Sequence, residues 1–276
     1  MLKKALEGVL TEQEASELYS AFDQIGDILV IRIPDVLLSK KKIIGETLLE
    51  NVHPARSVFY QASDVEGDFR TRNLEIIAGE DNTETEYKEF GCRFKVDVEK
   101  AFFSPRLSTE RNRIAQLVQD GEIIINMFGG VGMFSIIAAK KKKCTVYNID
   151  LNPHAVRLCE ENVRLNKKIV GTVISICGDA AQVVKEQLQD KGDRTLMLLP
   201  ERSDEFLDSA ISATKSGGVI HYYSHQHADK RQSSVELSKQ HYLETVKVKS
   251  QVLGGRMVRA VGPHYYQTVV DVKITK

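Results

Sequence analysis

Apolar and polar positions along the 276-residue chain follow two different rhythms. Over the first hundred residues the rhythm is mixed. Residues 1–25 carry Leu, Val and Ala at helical spacing, which predicts an amphipathic helix. "GDILVIRIPD" (27–36) is a β-rich run ended by proline, and "RSVFYQAS" (56–63) reads as a strand. Between them "SKKKIIGETLLENV" (39–52) has a helical pattern. "LEIIAGE" (74–80) and "FKVDV" (94–98) add further strands. Helices and strands mixed in this way predict a small α+β domain over residues 1–100.

From about residue 104 the rhythm becomes regular. A helix over 108–120, capped by Ser108, leads into strand 122–127, helix 132–140 and strand 144–149. Helix 152–166, strand 172–177, helix 180–190, strand 194–199 and helix 203–214 continue the series. Strand 217–225, helix 230–243 and two closing strands, "ETVKVKSQVL" and "YYQTVVDVKI", complete it. Strands alternating with helices at this period make βαβ crossovers and a parallel sheet covered on both faces. Residues 101–276 are therefore expected to form a second, α/β domain that ends in a reversed hairpin.

Composition narrows the possibilities without naming one. Formal net charge is zero, so no global basic field announces a nucleic-acid partner. The lysine runs at 41–42 and 140–143 read as solvated element ends. Cys92, Cys144, Cys159 and Cys177 have no C-x-x-C spacing, which argues against a zinc set or a disulfide framework. The chain has no apolar run of membrane-spanning length and no signal-like N-terminus, so a cytoplasmic protein without a membrane partner is expected.

Candidate chemistry gathers at "INMFGGVGMFSIIAAKKKKCTVYNID" (125–150), where a strand breaks into a glycine turn, a helix follows, and the next strand ends in an acid. A dinucleotide loop would want a small residue where Ser135 stands, and the Gly-Lys-Ser/Thr of a phosphate loop is missing. S-adenosylmethionine, whose methionine part carries no phosphate, needs only the close backbone approach that Gly129, Gly130 and Gly132 allow. Asp150 is placed for ribose hydroxyls, and Asp179 in "CGDAAQVV" repeats the arrangement one strand later, within reach of an adenine amino group. Ligands of open α/β sheets sit at these carboxyl strand ends.

Several stretches together resemble the archaeal and eukaryotic type of tRNA (guanine-37-N1) methyltransferase, a family whose relatives include aminocarboxypropyl transferases of the wybutosine pathway. They are "FRTRNLEIIAGEDNTET", "GCRFKVDVEKAFFSPRLSTERNRI", "MFGGVGMFSI", "IDLNPHAV", "ENVRLN", "LPERSDEFLDSAI" and "GGVIHYY", within residues 60–276. "IDLNP" and "LPE" are similar to the methyltransferase branch. The resemblance implies a Rossmann-like S-adenosylmethionine-dependent methyltransferase sheet with a smaller N-terminal α+β domain that supports the active site and the tRNA. The implied substrate is the tRNA anticodon arm, and the implied state is a monomer without a metal.

The same resemblance assigns roles. Glu110, which on its own reads equally as a first-turn glutamate favoured by the helix dipole, becomes the general base, and Arg70 becomes the arginine at the target base. Arg106 and Arg72 fall at substrate positions. Arg111, Phe128, Gly129, Gly130, Gly132, Asp150, Leu151, Asn152, Asp179, Ala180, Leu198 and Pro200 fall at cofactor positions. A base modified on its Watson–Crick edge must leave the stack, so a pocket for a flipped nucleotide is implied.

The chain departs from the family pattern at several places. Asn126 stands where aspartate is usual, Leu198 where asparagine is usual, and Met133 where proline is usual. Tyr87 and Phe90 replace a His and an Asn. These departures keep two alternatives open: transfer of a different group or to a different target on the same scaffold, and a weakly active or non-catalytic tRNA-binding paralogue. Residues 1–100 correspond to the family's middle domain, with no room for its extra N-terminal one. In "HYYSHQH" (221–227), His221, Tyr222 and Tyr223 read as sheet core, and its histidines lack acidic neighbours in sequence, which argues against a metal.

Overall fold

The computed structural model describes residues 5, 6, 8–19, 22–63 and 67–276. The chain divides into two compact units, Met1–Pro105 and Arg106–Lys276.

In the first unit a short helix α1 (Glu12–Glu17) is closed by a capping box, in which Thr11 and Glu14 satisfy each other's backbone N–H groups. It is followed by β1 (Asp23–Ile25), so the single helix expected over residues 1–25 is interrupted; the rest of that expectation lies outside the described residues. β2 (Ile28–Ile31), β3 (Ser57–Gln61) and β4 (Leu74–Gly79) complete a four-stranded sheet in the order β1-β2-β3-β4. Only the β2–β3 pair is parallel, and helix α2 (Lys41–Asn51) makes its crossover. Its apolar face fits because Gly45 lets the helix approach β4 at Ile77. Leu29, Ile31, Ile44, Leu48 and Val58 are fully buried there. A separate hairpin, β5 (Glu84–Glu89) with β6 (Cys92–Asp97), was half missed in the sequence, because the charged run "ETEYKE" hides its alternation.

The second unit begins with α3 (Ser108–Leu117). Ser108 is the first helical residue and makes no cap; Leu107 occupies the capping position, which corrects the expected boundary. The series then runs β7 (Ile123–Asn126), α4 (Met133–Lys141), β8 (Thr145–Asp150), α5 (Pro153–Leu165) and β9 (Thr172–Cys177). A short helix α6 (Ala180–Val183) widens into a π turn (Val184–Leu188) before β10 (Gly192–Met197), α7 (Ser203–Ala213), β11 (Thr214–His227) and α8 (Ser234–Thr245). β12 (Ser250–Gly262) and β13 (Tyr265–Ile274) close the unit.

These strands form one seven-stranded sheet in the order β12-β13-β11-β10-β7-β8-β9. β9, β8, β7, β10 and β11 are parallel, and β13 is antiparallel to both β11 and β12. The sheet is therefore mixed: the expected reversed hairpin adds to the β11 edge with β13 inserted between β11 and β12. The strand order turns back between β7 and β10, the position at which open α/β sheets bind ligands. Met127, Val184, Leu207, Tyr222, Tyr242 and Val270 belong to the core on one face of the sheet. Among the described residues no helix is long and apolar enough to cross a membrane.

Candidate active site

The register of the sheet brings the glycine turn and the strand-end acids to one edge. Asn126 pairs with Asn148 and with Leu196, and Asp150 pairs with Cys177, so β7, β8, β9 and β10 end side by side. After β7 the chain turns through Gly130 (φ 53°) and Gly132 (φ 88°), both in the left-handed region that glycine enters without strain. Side chains have no room there: a Cβ on Gly132 would lie 2.5 Å from Cys159 Sγ, and one on Gly129 would collide with Asn148. Gly129 N–H donates to Ile149 O at 2.7 Å, and Gly130 N–H to Asp150 Oδ2 at 2.7 Å. The turn is thus stitched to the end of β8, which holds its remaining groups towards the edge.

Asp150 also accepts from Asn152 N–H at 2.9 Å, and Asn152 in turn caps α5. Burial raises the Asp150 carboxyl above the ordinary aspartate value, against the lowering effect of these two amide donors. Each of its oxygens keeps a lone pair for a hydroxyl donor. Asp179 is exposed and caps α6 through Gln182 N–H at 3.0 Å. Ala180 and Pro200 are buried, Leu198 is half-buried and Leu151 is exposed. Phe128 stands edge-on to Phe206 at 4.9 Å.

Behind the turn lies a buried polar chain. Asn126 Nδ2 donates to Ser135 Oγ at 3.1 Å, which donates to Asn148 Oδ1 at 2.6 Å. Asn126 Oδ1 is buried without a partner. An orphaned acceptor in such a place leaves about 1–3 kcal/mol unrecovered unless a ligand donates to it. Glycine turn, strand-end acid and unsatisfied acceptor suit a nucleoside that carries a cationic amino acid, so the residues present fit S-adenosylmethionine.

Glu110 sits in the first turn of α3 with 2% exposure. Arg113 grips it with Nη2 to Oε1 at 2.7 Å and Nε to Oε2 at 3.0 Å. Tyr223 on β11 donates its hydroxyl to Oε1 at 2.6 Å. Tyr222 pairs with Met197, so Tyr223 is level with Leu198, and Glu110 belongs to the same edge of the sheet. Arg111 is buried on the same helix, while Arg106 is exposed.

Arg70 and Arg72 belong to the first unit. Arg70 adopts a left-handed backbone (φ 54°), a strained state for a non-glycine residue, and its guanidinium lies 4.3 Å above the Phe102 ring. Arg72 donates to Val98 O at 3.3 Å and to Gln61 Oε1 at 3.2 Å.

Sequence reading missed the residues that surround Glu110. Arg113 reaches past it to Asp271 (Nη1 to Oδ2, 2.5 Å), and Asp271 accepts from His221 Nδ1 at 2.5 Å. His221 Nε2 meets Arg194 Nη1 at 2.7 Å, and Arg194 pairs with Glu122 at 2.9 Å. The expectation that the histidines of this stretch have no acidic companions is thereby corrected for His221: the acid comes from β13, fifty residues away in sequence. His221, Tyr222 and Tyr223 are fully buried, in keeping with the core reading. A lone aspartate inside the apolar run "TVVDVKI" was the only available signal.

Comparison with known proteins fits this geometry. The profile of the TRM5/TYW2 methyltransferase domain matches residues 85–250, and that of the TYW2 N-terminal domain matches residues 2–83. The Pyrococcus abyssi protein named tRNA (guanine(37)-N(1))-methyltransferase Trm5b is 41% identical over 259 residues, 94% of this chain and 76% of that one. The Saccharolobus solfataricus protein named tRNA 4-demethylwyosine(37)-methyltransferase Taw21 is 36% identical over 263 residues, 95% of this chain and 96% of that one. A crystal structure of Methanocaldococcus jannaschii Trm5 in complex with adenosine superposes with a TM-score of 0.82 at 34% identity, covering 100% of this chain and 78% of that one. The chain belongs to the TRM5/TYW2 methyltransferase family, a family of S-adenosylmethionine-dependent enzymes.

Proposed function

We propose that the protein transfers a methyl group from S-adenosylmethionine to the purine at position 37 of tRNA, with guanine N1 as acceptor. The observation that carries this reading is a buried carboxylate, Glu110, at the same sheet edge as a glycine turn and the strand-end acid Asp150, in a chain 41% identical to a named guanine-37 enzyme. When bound, S-adenosylmethionine supplies a methyl carbon whose bond to the sulfonium breaks, leaving its electron pair on sulfur, as the bond to N1 forms. Glu110 takes the N1 proton, so that the ring nitrogen's electron pair is free for the methyl carbon. The family resemblance assigns Arg70 to the negative charge that develops towards O6. Asp150 holds the ribose hydroxyls, Asn126 Oδ1 accepts from the amino-acid ammonium, and Gly129, Gly130 and Gly132 admit the methionine backbone. Arg111, Phe128, Leu151, Asn152, Asp179, Ala180, Leu198 and Pro200 line the cofactor. Arg72 and Arg106 hold RNA, and the first unit as a whole supports the anticodon arm.

A second reading has its own support. A relative named as a 4-demethylwyosine methyltransferase is 36% identical over 95% of this chain, and the TYW2 N-terminal domain profile matches residues 2–83. The acceptor would then be 4-demethylwyosine at position 37. One experiment separates the two: labelled S-adenosylmethionine is offered with tRNA carrying guanosine, adenosine or 4-demethylwyosine at position 37. Label on guanosine alone supports the first reading, and label on 4-demethylwyosine alone replaces it by the second. No label on any of the three, with cofactor and tRNA both bound, makes the protein a binding paralogue.

A further inference from the structure

Glu110 shares its arginine. Arg113 directs Nε and Nη2 at Glu110 and Nη1 at Asp271, so one positive charge serves two carboxylates. The surrounding charges can be assigned from hydrogen-bond roles. Arginine only donates, so His221 Nε2 accepts from Arg194, and His221 Nδ1–H donates to Asp271. That fixes His221 as a neutral imidazole, in line with full burial, which lowers its proton affinity. Arg194 is neutralised by Glu122. Tyr223 stays a neutral hydroxyl, its ionisation suppressed by burial and by the Glu110 carboxylate. Two carboxylates, Glu110 and Asp271, therefore share the hydrogen bonds of one guanidinium. Arg256, reaching in from β12, is a further cation near Glu110, 3.7 Å from Oε2. It is partly exposed, and so more weakly coupled than Arg113.

We propose that Asp271 is a positioning residue for the transfer reaction: by engaging one edge of Arg113, it leaves Glu110 negative enough to accept the substrate proton while Tyr223 fixes the carboxylate's orientation. This rests on Glu110 being the base. A carboxylate gripped by an arginine of its own is a poor proton acceptor, because the full positive charge stabilises its ionised form. With Asp271 in place, Arg113 remains correctly aimed but electrostatically divided. The pair Asp271–Arg113 also joins the last strand of the sheet to the helix that carries the base, two elements 158 positions apart in sequence.

Asp271→Asn and Tyr223→Phe act on Glu110 in opposite senses. The amide gives Glu110 the undivided charge of Arg113, so the acidic limb of the pH–rate profile moves to lower pH and the plateau rate falls about tenfold, the scale of a weakened general base. Removing the tyrosine donor takes a stabilising bond from the carboxylate, so the acidic limb moves to higher pH. The measurement is the single-turnover rate of methyl transfer to guanosine-37 tRNA across pH, for the full chain and both variants, with thermal unfolding as a control and Glu110→Gln alongside. Opposite displacements support the proposal. A Glu110→Gln variant with undiminished rate overturns the base reading, and this proposal with it. An inactive Glu110→Gln together with an unmoved limb in Asp271→Asn overturns the proposal alone. Should Asp271→Asn not fold, a limb in Tyr223→Phe that stays in place or moves to lower pH overturns it as well.

Discussion

The two sides of the candidate site are built on different principles. The cofactor side is a matter of local backbone: one turn after β7, tied by amide hydrogen bonds to the end of β8, with its side chains removed for lack of room. The base side is tertiary. Glu110 is held by an arginine on its own helix, a tyrosine on β11 and, through that arginine, an aspartate on β13. Local geometry fits in a short motif and is readable in a single sequence. A carboxylate seated by residues scattered over more than a hundred positions is not, and its environment emerges only from the packing of the sheet.

Substitutions sharpen this contrast. The largest expected effect is Gly132→Ala, which forces a side chain into a left-handed backbone and against Cys159. About 2–4 kcal/mol of stability is lost, and cofactor binding disappears in calorimetry while the chain stays folded by circular dichroism. Asn126→Val comes next. It removes the buried unpartnered acceptor and also deprives Ser135 of a donor. A roughly tenfold weaker dissociation constant for S-adenosylmethionine is expected by calorimetry. Unchanged affinity would remove Asn126 from the cofactor side.

Acid should affect the base side first. Burial lowers His221 below its usual value of 6.5, so the folded state binds fewer protons than the unfolded one. The contribution of a neutral His221 is then complete above pH 6.5 and is lost progressively as pH falls below it. Asp271 is also depressed, by His221 and Arg113 against the opposing effect of burial; its contribution is lost only below the ordinary carboxylate range. Thermal midpoints recorded between pH 7 and 5 should fall, and less steeply in His221→Gln. The smallest effect belongs to the first unit's surface, where Lys40→Ala removes a half-exposed pair with Glu14. It should change stability by under about 1 kcal/mol in denaturant titration.

Legibility in the sequence followed the same division. Strand Tyr265–Ile274 and the alternation from α3 to α7 stand where the apolar runs placed them. The glycine turn and Asp150 were readable for the same local reason. Ser108 resembled a cap, yet a 3-10 turn (Pro105–Leu107) leads into α3 and moves the boundary back by one residue. β11 runs for 14 residues, longer than expected, because its flanks Thr214–Ser216 and Gln226–His227 are polar. Arg113 and Arg194 look like ordinary charges, and Asp271 stands out only by its apolar flanks, until one helix and two strands bring them together.

The central claim is that Glu110 carries the proton while a separate turn holds the cofactor. Measuring the S-adenosylmethionine dissociation constant and the single-turnover methyl transfer rate on the same Glu110→Gln protein tests it most directly. The account predicts a rate reduced by about 10²–10⁴-fold, the range of a lost general base, with cofactor affinity unchanged. A rate close to that of the unaltered protein, or a rate and an affinity that fall together, would contradict it.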